Sequence, residues 1–149
     1  MLRRAKINDA KEIQRLVNFY AKKNEMLPLS LSELYDHIRS FFVYERNNRI
    51  VGCGSLRIIW EDLGEIRSLA VYKKAMGKGI GKSIVEECLK EARALGLRRV
   101  FVLTYKASFF KKFSFKGIDK YKLPHKVWRD CIKCVHFPNC HEDALIKRL

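Results

Sequence analysis

The sequence predicts one α/β domain of the α+β type, in which a mixed, mostly antiparallel sheet is flanked by helices. The chain has 149 residues, 48% of them apolar and 32% charged, which suits one soluble domain with its own core. Segments with strand and helix periodicity follow one another in the order β-α-α-β-β-β-α-β-α-β. The early strands favour antiparallel pairing, and the later β-α-β unit requires a parallel pair.

The first half of the chain contains one strand, two helices and a hairpin. "LRRAKIN" is the first predicted strand, and Asp9 is predicted to cap a helix with apolar residues at helical spacing. Pro28 ends the following loop, and Ser30 or Ser32 caps a second helix, "LSELYDHIRSF". "FFVYE" and "RIVGCGSLRIIW" are predicted strands. They are joined at "RNNR", where the asparagines suit the tight turn of a hairpin.

The second half alternates strands and helices up to Pro124. "GEIRSLAVY" is a strand, and the helix "SIVEECLKEARAL" is predicted to end at Gly96 in the left-handed conformation. "RRVFVLTY" is a buried strand, "SFFKKF" a short helix and "FKGIDKYKL" a last strand. The predicted core therefore covers residues 1–124 of a single domain 1–149, and residues 125–149 form a cysteine-containing tail outside this pattern.

The composition is strongly basic, with 31 Lys and Arg against 16 Asp and Glu and a formal net charge of +15. Such a charge favours an anionic partner, or it reflects a solvated basic surface, since the basic residues are spread along the whole chain. The aromatic residues follow the apolar pattern, so we expect no nucleic-acid partner. The N-terminus lacks a secretory pattern and no apolar run could span a bilayer, so we expect a cytoplasmic protein without a membrane partner.

The stretch "MGKGIGKS" places three glycines between a strand and a helix. It is not a Walker A loop, because Met76 stands where the first glycine is required, and the glycine spacing also excludes the dinucleotide fingerprint. Glycines allow close approach of backbone amides, and a helix N-terminus favours an anion. The loop therefore either binds a pyrophosphate or is a glycine-rich turn that caps an ordinary helix.

The run "EIRSLAVYKKAMGKGIGKSIVEECLKEA" resembles the acetyl-CoA-binding motif of the GNAT acetyltransferases, [QR]-x-x-G-x-[GA], with Met76 in place of the usual Gln or Arg. The resemblance implies the GNAT acyltransferase fold over roughly residues 1–120 and acetyl-CoA as cosubstrate. It also implies that the backbone of the strand pairs with the pantetheine arm. The cofactor-binding residues that it implies are Leu69, Ala70, Val71, Met76, Gly77, Lys78, Gly79, Ile80, Gly81, Lys82 and Ser83.

Four further stretches are similar to the short, stand-alone bacterial N-acetylglutamate synthases: "LSELYDHIRSFFVYE", "EIRSLAV", "RRVFVLTYKASFFKKFSF" and "LPHKVWRDCIKC". This resemblance reaches almost the full length. It implies acetylation of the α-amine of L-glutamate, the first step of arginine biosynthesis, by a homodimer. Relatives carry a basic residue after the Leu-Pro pair, where this chain has Leu29.

Acetyl transfer needs a deprotonated amine and a proton for the leaving thiolate. The resemblance makes Glu65, which opens "EIRSLAV", the general base; alternatively, Glu65 is a strand-end carboxylate that pairs with an arginine. The family's usual acidic tyrosine is absent, because the expected pair is Phe109-Phe110. Tyr105 is the nearest substitute, unless it only packs at the strand end.

A dicarboxylate acceptor requires cations, and guanidinium groups hold carboxylates bidentately. Arg67 shares a strand face with Glu65 under period-two alternation, and Arg39 lies on the second helix. Both are therefore candidate substrate-binding residues, although each could be one of many surface arginines. Two rival functions remain: acetylation of another amine (another amino acid, a polyamine or a protein N-terminus) and a basic RNA-binding module.

The tail contains the spacing C-x2-C-x5-C with a histidine upstream. Three thiolates and one imidazole suit tetrahedral zinc. Cys131, Cys134, Cys140 and His125 are thus candidate zinc ligands, although the spacing is not that of a recognised finger. The alternative is free thiols packed under the tail.

Overall fold

The computed structural model describes residues 1–123 and 142–149. Its helices are α1 (Ala10–Ala21), α2 (Leu31–His37), α3 (Ile80–Ala94) and α4 (Ala107–Lys111). Its strands are β1 (Leu2–Arg4), β2 (Phe41–Arg46), β3 (Arg49–Trp60), β4 (Leu63–Val71), β5 (Arg99–Thr104), β6 (Lys116–Gly117) and β7 (Asp143–Arg148). The predicted order of elements is confirmed up to β6.

The strands form one mixed sheet in the order β1-β2-β3-β4-β5-β7-β6. β1, β2 and β3 pair antiparallel, β4 and β5 pair parallel, and β7 pairs antiparallel with both β5 and β6. The predicted mixed, mostly antiparallel sheet is confirmed. β7 lies in the predicted tail and was not expected. Its insertion between β5 and β6 is a long-range pairing that adjacent residues do not encode.

The chain divides into two compact units. The first contains Met1–Arg57 and Ile66–Glu91, and its core is formed by α1, α2 and one face of β2, with Cys53 and Ala70. The second contains Ile58–Glu65 and Ala92–Leu149, with a smaller core around Leu63 and Phe101. Each unit thus has an apolar centre of its own.

Two glycines of β3 bring α3 close to the sheet in the first unit. A Cβ atom on Gly54 would lie 2.6 Å from Cγ2 of Ile84, and one on Gly52 would lie 2.9 Å from Cγ2 of Ile80. Carbon atoms in contact are normally about 3.5–4.0 Å apart, so any side chain at these positions would push α3 away. The glycines of "VGCGS" therefore set the height of α3 above β3.

Asp9 does not cap α1 as predicted. Its side chain makes no capping bond to that helix; instead it accepts the backbone N–H of Lys6 at 2.7 Å. It also forms a two-point ion pair with Arg3, with nitrogen–oxygen distances of 2.7 and 3.0 Å. Asp9 binds the guanidinium of Arg3 and does not cap α1, because a charge-assisted, bidentate hydrogen bond is stronger than a bond to a neutral backbone N–H.

This pair should make the stability of the protein depend on pH. The hydrogen bond from Arg3 holds the pKa of Asp9 below its usual value, so the folded state favours the carboxylate. The resulting stability is fully present above the pKa of the unfolded chain, about 4, and is lost as the pH falls through the folded pKa. We expect Asp9→Asn to lower Tm at pH 7, and the difference from the unsubstituted protein to shrink below about pH 4. Thermal melts of both proteins across pH check this; a constant difference would contradict it.

Candidate active site

The glycine loop joins β4 to α3 through a single turn of 3-10 helix, Lys73–Ala75. Gly77 and Gly79 have φ angles of +79° and +78°, the left-handed region that favours glycine. A Cβ atom on either glycine would meet nothing within 4 Å. Backbone conformation, and not lack of space, therefore requires glycine at these two positions.

The backbone amides of this loop and of the first turn of α3 form an anion-binding arrangement. The N–H of Ser83 donates to the carbonyl of Gly79 at 3.0 Å, so Gly79 immediately precedes the helix. The N–H groups of Ile80, Gly81 and Lys82 then have no acceptor inside the helix, by the geometry of a first turn. Residues of alternating φ sign before a helix make successive amides converge, and the helix end adds about half a positive charge. The arrangement fits a pyrophosphate.

The side chains around the loop add charge. Met76, Lys78 and Lys82 are exposed, and the Nζ atom of Lys82 lies 3.9 Å from a carboxylate oxygen of Glu86. The hydroxyl of Ser83 donates back to the carbonyl of Gly79 at 2.9 Å, so its proton is used within the helix. The loop thus offers lysine charge and backbone amides, while the serine stabilises the helix start.

The predicted pantetheine-pairing segment is the end of β4. Leu69 is partly buried, Ala70 and Val71 are buried, and the carbonyl of Val71 accepts a hydrogen bond from the hydroxyl of Tyr20. Ser68 has a φ of +55°, which marks an interruption of regular strand geometry just before this segment. The backbone of this segment is therefore fixed on one side by the core of the first unit.

Glu65 and Tyr105 both belong to the second unit. Glu65 is 6% exposed and lies opposite Phe101 in the last pair of the parallel β4–β5 register. Tyr105 directly follows β5 and is 41% exposed. Phe110, which stands at the position of the family's tyrosine, is buried and packs edge-on against Phe109 and Phe115. Tyr105 is thus an exposed tyrosine of this segment, whereas Phe110 has no hydroxyl.

The two candidate substrate arginines have different surroundings in the first unit. Arg39 is exposed on a single turn of 3-10 helix, Ile38–Ser40, and its carbonyl accepts from Nη1 of Arg4 at 3.3 Å. Arg67 is partly buried on β4, and the hydroxyl of Ser55 donates to its carbonyl at 3.0 Å. Sequence reasoning missed Arg57 and His37. Burial lowers the pKa of His37, and the positive charges of Arg57 and Arg67 lower it further, so both arginines lie near this imidazole. The only sequence signal was alternation of Arg57 with Ser55 along β3.

Leu29 is buried in the core of the first unit and is held by two side chains of α1. The amide of Asn18 accepts the N–H of Leu29 at 3.1 Å and donates to its carbonyl at 3.4 Å. Gln14 donates to the same carbonyl at 3.2 Å. The position at which relatives carry a basic residue therefore serves packing in this chain.

The zinc candidates Cys131, Cys134, Cys140 and His125 lie outside the described residues, so zinc binding stays a prediction. Within residues 1–123 and 142–149, no three His, Cys, Asp or Glu side chains are grouped to hold a metal. Over the same ranges, no helix combines the length and apolar character needed to cross a bilayer. A cavity of about 290 Å³ in the second unit is lined by parts of α4, β6 and β7 and by none of the predicted site residues.

Comparison with known proteins agrees with this geometry. The sequence profile of the Acetyltransferase (GNAT) family matches residues 7–115. An uncharacterized N-acetyltransferase of Chlorobaculum tepidum is 38% identical over 148 residues, which cover 99% of this chain and 96% of that protein. An amino-acid acetyltransferase of Mycobacterium tuberculosis is 43% identical over 122 residues, 80% of this chain and 70% of that protein.

Two solved structures extend the likeness to the fold. A Mycobacterium tuberculosis protein crystallised in complex with CoA and NLQ has a TM-score of 0.87 and 33% identity, over 100% of this chain and 99% of its own. N-acetylglutamate synthase from Neisseria gonorrhoeae, complexed with coenzyme A and N-acetyl-glutamate, has a TM-score of 0.91 and 26% identity. That match covers 100% of this chain and 35% of the synthase. The predicted resemblance and fold are confirmed: the chain belongs to the GNAT acetyltransferase family.

Proposed function

We propose that this GNAT acetyltransferase transfers the acetyl group of acetyl-CoA to the α-amine of L-glutamate. The observation that carries the proposal is the amide-lined loop at the start of α3, in a chain whose whole length is similar to a protein crystallised with CoA and NLQ. A further relative is named amino-acid acetyltransferase, and the Neisseria gonorrhoeae synthase was crystallised with N-acetyl-glutamate. These likenesses support an amino-acid acceptor.

The loop geometry fits the pyrophosphate of acetyl-CoA. The amides from Gly77 to Lys82 would hold the phosphate oxygens, with Lys78 and Lys82 adding charge. The backbone from Leu69 to Val71 would pair with the pantetheine arm, which needs no particular side chain. Acetyl-CoA would supply the activated acetyl thioester to this strand.

The reaction would then proceed by direct transfer. Glu65 accepts a proton from the acceptor ammonium, directly or through one water, and the freed amine nitrogen forms a bond to the acetyl carbon. The carbon–sulfur bond breaks, Tyr105 donates a proton to the leaving thiolate, and the second proton that the nitrogen loses as it becomes an amide returns to Tyr105. Glu65 is 6% exposed, so few water molecules would compete with the acceptor for its carboxylate.

The acceptor's carboxylates would be held by arginines. Arg67 is partly buried on β4, two residues before the pantetheine-pairing segment, and Arg39 is exposed beside α2. The proposed place in arginine biosynthesis follows from glutamate as acceptor. Homodimer formation and a cytoplasmic location stay predictions.

The test is a steady-state assay of thiol release from acetyl-CoA with a panel of amines. We expect L-glutamate to give the highest kcat/KM, above glutamine, aspartate and polyamines. A polyamine or a peptide N-terminus that exceeded glutamate tenfold would contradict the assignment and favour the rival GNAT activity. Salt-sensitive RNA binding without acetyl transfer to any amine would favour the basic RNA-binding module instead.

A further inference from the structure

The face of β3 that packs against α1 and α2 changes from apolar to cationic along the strand. Cys53 is fully buried in the core that these helices form, while Gly52 and Gly54 face α3. Alternation therefore places Ser55 and Arg57 on the same face as Cys53. Ser55 is fully buried, and Arg57 is partly buried with its Nε atom inside the protein.

The neighbouring strand β4 brings a second arginine to this place. The hydroxyl of Ser55 donates to the carbonyl of Arg67 at 3.0 Å, and the thiol of Cys53 donates to the carbonyl of Ser68 at 3.4 Å. The φ of +55° at Ser68 interrupts the alternation of β4 next to Arg67.

His37 is the last residue of α2, and its neighbours Leu34 and Ile38 pack in the same core as Cys53 of β3. Burial lowers its pKa, and the positive charges of Arg57 and, more weakly, Arg67 lower it further. Asp36 and Glu33 act in the opposite direction, but both are exposed on α2. Arg57 on β3 and Arg67 on β4 thus both lie near enough to the imidazole at the end of α2 to act on it electrostatically.

We propose that this cluster (Arg57, Arg67 and His37) binds the side-chain carboxylate of a dicarboxylic amino-acid acceptor, with Arg57 as the specificity-determining residue. The inference rests on the proposed function, and it adds two residues that the sequence did not suggest. Arg67 precedes Leu69 by two residues, about 7 Å along the strand, so the cluster lies near the proposed pantetheine-pairing segment. A carboxylate there would meet the planar fork of a guanidinium, which matches its geometry.

The test compares glutamate with glutamine, which has the same shape but no side-chain charge. In Arg57→Gln, kcat/KM for glutamate should fall about 10- to 100-fold, the loss typical of one charge-assisted hydrogen bond. The value for glutamine should stay within about threefold of wild type. Arg57→Lys should give an intermediate ratio, because it keeps the charge and loses the fork. Arg49→Gln, an exposed arginine at the other end of β3, is the matched control and should leave both values unchanged.

A second readout separates recognition from a structural role. A protonated His37 adds a positive charge, so the glutamate-to-glutamine ratio of wild type should rise as the pH falls through the titration of His37. The rise should be absent in His37→Gln. If His37 served packing alone, its titration would change kcat/KM for glutamate and for glutamine equally. The glutamate-to-glutamine ratio would then not depend on pH.

The outcomes are distinguishable. If wild type prefers glutamate but Arg57→Gln loses both substrates equally, with an unchanged ratio, the cluster is overturned and the proposed function stands. If wild type uses neither amino acid, both proposals fail. If Arg57→Gln does not fold, as judged by Tm, the ratio in Arg57→Lys decides: an unchanged ratio overturns the cluster, and a lowered ratio supports it.

Discussion

Replacing Glu65 with glutamine is expected to lower kcat about 10²–10⁴-fold, which is the usual cost of losing a positioned base. Glutamine keeps the size and the hydrogen-bonding shape of the buried carboxylate, but it cannot accept a proton. Affinity for CoA should barely change, since we assign it to the loop from Gly77 to Lys82. The deficit should shrink as the pH rises, because more of the acceptor amine is then already deprotonated.

Three measurements on one variant decide this: kcat against pH, affinity for CoA and Tm. If Glu65 were only structural, CoA affinity and Tm would fall together and raising the pH would rescue nothing. Glu61→Gln is the matched control, because Glu61 is exposed in the turn just before β4 and carries the same charge. A rate for Glu65→Gln within threefold of wild type would remove Glu65 from the mechanism.

Alanine at Gly77 or Gly79 should raise KM for acetyl-CoA about tenfold in each single variant. An L-residue in the left-handed region costs roughly 1–2 kcal/mol, and 1.4 kcal/mol is a factor of ten in an equilibrium. In the free protein, an alanine in this loop therefore favours negative φ, which turns the amides away from the position of the phosphates. Binding of acetyl-CoA must restore the positive φ, and the energy that this requires weakens the affinity. The value of kcat at saturating acetyl-CoA should stay near that of wild type.

Gly96→Ala provides a control that matches this strain. Gly96 has a φ of +85° and open space around its Cα, but it follows α3 at the opposite end from the loop. We expect it to lower Tm and leave KM for acetyl-CoA unchanged. Equal changes of KM in all three variants would show that the effect comes from general destabilisation and not from phosphate binding.

Local chemistry made a large part of this structure predictable. The asparagines of "RNNR" form the expected turn, with φ angles of +53° and +61° at Asn47 and Asn48, and Gly96 ends α3 as expected. Ser30 caps α2 by accepting the N–H of Glu33. In these cases the deciding interactions lie within a few residues, so sequence pattern and backbone preference determine the result.

The features that sequence reasoning missed depend on distant residues. Asp9 lies next to a helix that it could cap, but its carboxylate instead accepts hydrogen bonds from Arg3 on β1. β7 pairs with β5 across sequence separations from 39 residues (Thr104 with Asp143) to 49 residues (Arg99 with Arg148), and its hexapeptide "DALIKR" alternates only weakly. Arg57 lies near enough to His37 to lower its pKa because α2 packs over the face of β3 that carries Cys53, which periodicity alone does not specify.

The glycine contacts between β3 and α3 link cofactor binding to folding. The first turn of α3 would hold the pyrophosphate. The same helix packs through Ile80 and Ile84 against the backbone of Gly52 and Gly54. The amides therefore keep their geometry only while the helix stays seated on the strand. A ligand that binds only the folded state adds about 2.7 kcal/mol of stability at a hundredfold excess over its Kd. Bound acetyl-CoA would then raise the free energy of unfolding. When acetyl-CoA is depleted, a larger fraction of the enzyme would unfold on heating or be cleaved by proteases.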